Sequence, residues 1–133
     1  MYGASKILLI TLEILKKNGH NPLVVLSEDG LLSQALKKEH IEVRFIKLGI
    51  IRRKYFNFKG LINRFKTLRI AKNQLTQLCV QENIDLIYSN TAAVIVGGWV
   101  ARKCRIKHIF HIHEIIQSPR WFVYLIHKMI ARN

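Results

Sequence analysis

The HIHE segment at residues 111–114, with a further histidine at position 108, places three histidines and a glutamate within seven positions. On a strand, His111 and His113 would project from one face and His108 from the other, because side chains alternate. Two histidines spaced in this way could bind zinc together with Glu114. Since the sequence offers no convincing further ligand, we expect no metal site. We interpret the segment as the polar end of a strand, with His108 and His111 in structural roles.

The YSNT segment at residues 88–91 also follows an apolar, strand-like pattern. Ser89, Asn90 and Thr91 carry the neutral hydroxyl and amide groups that pair well with sugar hydroxyls. Capping of the next helix explains the same residue types equally well. Both interpretations remain open, and they are compatible with each other.

The YGAS segment at residues 2–5 precedes a helical pattern. Gly3 would let the backbone pass close to a ligand, and Ala4 and Ser5 would begin a helix whose free N–H groups favour anions. An ordinary N-cap formed by Ser5 is the alternative. One glycine alone does not decide between an anion site and a simple cap.

Hydrophobic periodicity predicts helices that alternate with strands along the whole chain. The helices are predicted at about 5–20, 31–40, 59–82, 91–105 and 118–133, and the strands at about 22–27, 41–49, 84–90 and 107–113. This order predicts an α/β fold with a doubly wound parallel sheet. Ligands of such sheets bind beyond the carboxyl ends of the strands, so the YGAS, YSNT and HIHE segments should line one crevice. A doubly wound domain normally begins with a strand, and we expect that first strand to be missing here.

The composition describes a globular chain of one domain. The sequence has 133 residues, of which 50% are hydrophobic and 23% charged, too apolar for a disordered segment. The longest uncharged apolar run, residues 91–101, is too short for a membrane-spanning helix, and no signal-peptide pattern opens the sequence. We therefore expect a cytoplasmic protein, in which Cys79 and Cys104 are reduced core thiols without metal-ligand spacing.

Positive charge is concentrated in two parts of the chain. The formal net charge is +14, with ten Lys or Arg and no acidic residue between positions 43 and 80. Such a field attracts phosphate-rich surfaces, either nucleic acid or the anionic leaflet of a membrane, although a solvated basic surface is the simpler alternative. The helix at 59–72 combines basic and apolar residues, as membrane-surface helices do. The predicted membrane-contact residues are Arg52, Arg53, Lys54, Tyr55, Phe56, Phe58 and Lys59.

Several segments together resemble the amino-terminal domain of family 4 glycosyltransferases with the GT-B fold. The matching features are a helix ending in GH before a strand, a DGLL segment followed by IEV, the DLIYSNT segment and the HIHE strand end. The resemblance covers nearly the whole chain, and the succession NT, GG, A and HIHE is its most specific part.

The resemblance implies a Rossmann-like half of a GT-B enzyme on the acceptor side. It implies transfer of a sugar from a nucleotide-sugar donor to a cell-surface polysaccharide or lipid-linked glycan, without metal or cofactor, at the cytoplasmic face of the membrane. His113 and Glu114 would be the catalytic pair, with His113 near the transferred sugar and Glu114 orienting it or accepting a hydroxyl hydrogen bond. The turn at Gly3 would face the donor diphosphate.

Two features of the family are missing from this sequence. The central first strand, which would lie between the strands predicted at 22–27 and 84–90, is absent, and nothing matches the carboxy-terminal donor domain. We therefore expect residues 1–133 to be a single amino-terminal domain, truncated at both ends and inactive alone. A fragment, a remnant and one part of a split enzyme whose donor domain is a separate chain are all open interpretations. The alternatives are a basic nucleic-acid-binding module, suggested by RRKYFNFK at 52–59, and a non-catalytic partner protein that retains the fold. No helix-turn-helix, RNA-recognition or KH signature supports the nucleic-acid alternative.

Overall fold

The protein is an α/β protein in which helices alternate with short strands. The computed structural model describes residues 3–50, 58–91, 94–113, 123–124 and 128. The elements in chain order are α1 (Gly3–Lys17), β1 (Leu23–Leu26), α2 (Leu31–Lys38), β2 (Glu42–Phe45), α3 (Phe58–Gln81), β3 (Leu86–Ser89), α4 (Val96–Cys104) and β4 (Lys107–Phe110). The predicted alternation is therefore confirmed. The last predicted helix lies mostly outside the described residues.

The four described strands form two parallel pairs. β1 pairs with β2 in a register that sets Leu23 beside Glu42, and β3 pairs with β4 in a register that sets Leu86 beside Lys107. Among the described residues, β1 has no partner except β2 and β3 has none except β4. The parallel strand direction agrees with the prediction, whereas one continuous doubly wound sheet is not observed.

The chain divides into two compact units, residues 1–47 and 48–133. The first unit contains α1, β1, α2 and β2. Its buried apolar side chains are Leu8, Leu12, Val24, Leu36 and Ile41. Val24 is the one fully buried residue of β1, so the prediction that this strand is buried on both faces is wrong. A strand with a single partner leaves more of its length accessible than a strand inside a wide parallel sheet.

The second unit is organised around α4, which packs against α3, β3 and β4. Leu68, Ala71 and Cys79 form the buried face of α3. Phe65 belongs to the same helical apolar pattern but is 67% exposed, so the buried stripe of α3 is narrower than its apolar pattern. The first residue of α4 is Val96 rather than the predicted Thr91.

Gly97 allows α4 to lie unusually close to the strands. A Cβ atom at this position would overlap the hydroxyl oxygen of Ser89 and would come within 3.3 Å of His108 Nε2 and 3.4 Å of Ile87 Cγ2. The first turn of α4 therefore rests directly on the face of β3 and β4 that carries these three side chains. A larger residue would push the helix off this face.

We expect Gly97→Ala to lower the free energy of unfolding by about 1–3 kcal/mol, because the added methyl group overpacks this contact. Chemical denaturation followed by circular dichroism measures the change. Gly3→Ala is the matched control, since Gly3 also begins a helix and has no atom near the added Cβ position; its stability should stay equal or rise slightly. Equal stability of the two variants would contradict the close-approach argument.

Candidate functional site at the carboxyl ends of β3 and β4

The parallel register of β3 and β4 brings two predicted site residues together. Ser89 lies opposite Phe110 at the ends of the strands, so the segments that follow leave the sheet at one edge. The His111 backbone N–H donates to the Ser89 carbonyl at 2.9 Å and extends the ladder beyond β4. At this edge the His113 Nε2 and Asn90 Oδ1 atoms are 2.9 Å apart.

The bond to Asn90 selects the tautomer of the neutral His113 ring. An amide oxygen accepts hydrogen bonds and cannot donate them, so His113 Nε2 carries the proton. In the neutral imidazole, Nδ1 is then the nitrogen that can accept a proton or a hydrogen bond. Asn90 thus acts as a positioning residue for His113, and it does not cap α4, whose N-cap is Ile95.

Two aromatic side chains extend this pair along the same edge. Tyr88 Oη is hydrogen-bonded to His111 Nδ1, and the rings of His111 and His113 lie with their centroids 4.0 Å apart. Tyr88, His111, His113 and Asn90 therefore form one continuous series, which we call the strand-end cluster. His111 was expected to be structural and Tyr88 was not predicted at all. The strand register would have revealed this contact. Tyr88 pairs with Ile109, and His111, two residues after Ile109, is therefore the diagonal neighbour of Tyr88 on the same face.

Ser89 and His108 form a separate contact beneath α4. Ser89 Oγ and His108 Nε2 are 2.9 Å apart, and Ser89 is only 4% exposed. Within the described residues His108 Nδ1 is buried without a hydrogen-bond partner. We assign the ring proton to Nε2, because a buried lone pair costs less than a buried unpaired N–H. Ser89, a predicted substrate-binding residue, therefore has its side chain directed into the packed interior of this unit.

Four other predicted site residues are described. Gly3, Ala4 and Ser5 form the first turn of α1, in the unit of residues 1–47. Because α1 begins before Ser5, the alternative in which Ser5 is its N-cap is not observed. The Thr91 carbonyl accepts a hydrogen bond from the Val94 N–H at 3.3 Å.

Glu114 and residues 52–56 lie outside the described residues, as do the side chains of Phe58 and Lys59. The membrane-contact prediction and the proposed partner of His113 therefore stay predictions.

Three further findings bear on the site. Among residues 3–50, 58–91 and 94–113, no three His, Cys, Asp or Glu side chains are arranged to hold a metal ion. In the part of the chain that the structure describes, no helix has both the length and the apolar character needed to cross a bilayer. Comparison with protein-family models, curated proteins and solved structures gave no match.

Burial lowers the pKa of His108 from its ordinary value of 6.5. The unfolded chain therefore binds this proton more readily, and His108 contributes stability that is present above pH 6.5 and lost as the pH falls through the folded-state pKa. We expect His108→Gln, which keeps a polar side chain beside Ser89, to flatten the fall in melting temperature between about pH 7 and about pH 5. His20→Gln, at an exposed histidine, should leave that fall unchanged. If the melting temperature of His108→Gln fell with pH as that of the wild type does, His108 would not be the cause of the fall.

Proposed function

We propose that the chain is the acceptor-side domain of a glycosyltransferase of the GT-B type, as its sequence resemblance implies. The observation that carries the proposal is the hydrogen bond between Asn90 and His113 at the carboxyl ends of two parallel strands. This is the position at which parallel α/β sheets bind their ligands. The substrate would be a sugar moved from a nucleotide donor to a polysaccharide or lipid-linked glycan, without a metal ion.

The chemistry of the strand-end cluster suits a neutral polyhydroxylated ligand. Amide, phenol and imidazole groups supply both donors and acceptors, and a sugar hydroxyl needs one of each. His113 Nδ1 is the acceptor that could take the proton of an acceptor hydroxyl or bind a hydroxyl of the donor sugar. Acidic side chains that would repel a nucleotide diphosphate are few in this unit: Glu82, Asp85 and Glu114 are its acidic residues.

The complete sheet of this proposal is doubly wound and Rossmann-like, with a further strand beside β1 and β3, and the complete enzyme has a donor-binding domain. Two-stranded sheets are marginal by themselves, and among the described residues β1 and β3 each have one strand partner, so each has a second edge at which a further strand could pair. Without the donor domain the chain should bind sugars weakly and transfer none.

The proposed place of action is the inner face of the membrane. Positive charge and a few apolar contacts would hold the chain there peripherally. Phe65 and Ile70 of α3 are 67% and 58% exposed, and the exposed Lys66 and Arg69 lie between them along the helix. α3 has no acidic residue. We call these four residues the α3 patch; exposed apolar side chains beside cations favour an anionic lipid surface over water.

We expect nucleotide hexoses and methyl glycosides, titrated into the ¹⁵N-labelled chain, to shift the backbone signals of Asn90 and His113. Asn90→Ala should weaken this binding about tenfold, because it removes one hydrogen-bonding group and frees the His113 ring. The control is Asn73→Ala, at an exposed position of α3, which should bind as the wild type does. Shifts spread over the surface, or equal weakening by both variants, would argue against the site.

We expect the chain to co-sediment with vesicles containing anionic lipid and not with neutral vesicles, and to be released by about 0.5 M salt because screening shortens the electrostatic range. The double variant Lys66→Ala/Arg69→Ala should bind several-fold less. Lys38→Ala/Lys103→Ala removes the same charge at exposed positions outside the α3 patch and should bind nearly normally. Equal binding to both vesicle types, or tighter binding to a DNA duplex, would favour the nucleic-acid alternative.

A further inference from the structure

The two cysteines meet on the packed faces of α3 and α4. Cys79 follows Leu68 and Ala71 along the buried face of α3 and is 8% exposed. Cys104 ends α4, three residues after the buried Ala101. The Cys79 and Cys104 thiols are neighbours across the contact between α3 and α4, and both are free.

The backbone around the two cysteines is held firmly in this arrangement. The Ile84 N–H donates to the Cys79 carbonyl at 2.9 Å, and the Ile106 N–H donates to the Ala101 carbonyl at 3.0 Å. These bonds close the ends of α3 and α4 immediately before β3 and β4 begin. Because the first residues of β3 and β4 are paired, the two helix ends are brought side by side.

We propose that Cys79 and Cys104 are a modification site for low-molecular-weight disulfides such as oxidised glutathione, which convert the pair into an intramolecular disulfide. The proposal does not depend on the transferase function. Cys104 is the half-buried thiol, so its thiolate attacks one sulfur of the reagent, forms a mixed disulfide and releases one glutathione thiolate. The Cys79 thiolate then attacks the Cys104 sulfur and displaces the second glutathione. The protein loses two protons and two electrons, and the reagent gains them as two thiols.

The burial of Cys79 decides the order of the two steps and their pH dependence. Burial, with a smaller contribution from the neighbouring Cys104, raises the pKa of the Cys79 thiol to about 11. Since the thiolate is the attacking form, Cys79 is unreactive toward external reagents near neutral pH. Its attack on the adjacent Cys104 sulfur should accelerate about tenfold per pH unit from about pH 7 to about pH 10.

The new bond would lie at the amino ends of β3 and β4, whereas the strand-end cluster lies at their carboxyl ends. A four-residue strand separates these ends by about 13 Å. Closing the loop between the two cysteines restricts the unfolded chain, so the oxidised protein should melt about 5–10 °C higher.

The test is to incubate the purified chain with oxidised glutathione, block remaining thiols with iodoacetamide and measure the intact mass. The wild type should lose the mass of two hydrogen atoms, take up no blocking group and remain monomeric on a non-reducing gel. Cys79→Ser should retain one glutathionyl group on Cys104, and Cys104→Ser should stay unmodified. Cys79→Ala serves as a second variant in case a buried serine impairs folding.

A wild-type protein that keeps both thiols open to the blocking group, or that retains glutathione instead of closing the ring, would overturn the proposal. So would a Cys104→Ser variant that reacts as fast as Cys79→Ser, because Cys79 would then be the accessible thiol. Disulfide-linked dimers in place of the monomer would show that the two thiols do not reach each other within one chain.

Discussion

The close seating of α4 on β3 and β4 is the contact on which the second unit depends. It exists because Gly97 has no Cβ atom where the Ser89 hydroxyl lies. The same face carries the half-buried His108, whose Nδ1 atom is buried and whose Nε2 atom has Ser89 as its hydrogen-bond partner. Ser89 is also the last residue of β3 and directly precedes Asn90. The polar cluster at the edge therefore rests on a glycine in the helix behind it.

Short strands that form isolated pairs need to pack against helices to be stable. Each described strand has four residues and one partner, and a two-stranded sheet is marginal in water. α4 supplies the missing burial in the second unit, with Val96 and Val100 fully enclosed. In the first unit the largest enclosed side chain is Leu36 of α2. The side chains that face away from these helices remain accessible, as Ile109 does at 46% exposure.

The fold class followed from the sequence, whereas the details of the site did not. Short apolar runs predicted the ends of β1 and β3 to within one or two residues of those observed. Such runs, bounded by turn-forming residues, are typical of buried strands. Helix starts were predicted wrongly where capping was the guide: Thr91 offers a good cap, yet α4 begins at Val96 and its N-cap is Ile95. The predicted continuous sheet is not observed among the described residues. Hydrophobic periodicity indicates where a strand lies but not which strands pair with it. The pairing of Asn90 with His113 was foreseen as proximity, but the hydrogen bond needs the register of β3 against β4.

Among the described residues of the second unit, the strand-end cluster and the exposed cations of α3 are separate, and this separation bears on the choice between functions. A nucleic-acid site would place cations among the groups that contact the ligand, since phosphate contacts dominate such affinity. Here the strand-end cluster is made of amide, phenol and imidazole groups, while Lys66 and Arg69 lie on the exposed side of α3. Neutral donors and acceptors distinguish sugars by the arrangement of their hydroxyl groups. A cationic surface attracts anionic lipid headgroups without distinguishing one headgroup from another. A sugar-binding domain held at a membrane uses both arrangements at once, which is why we prefer it to a nucleic-acid-binding module.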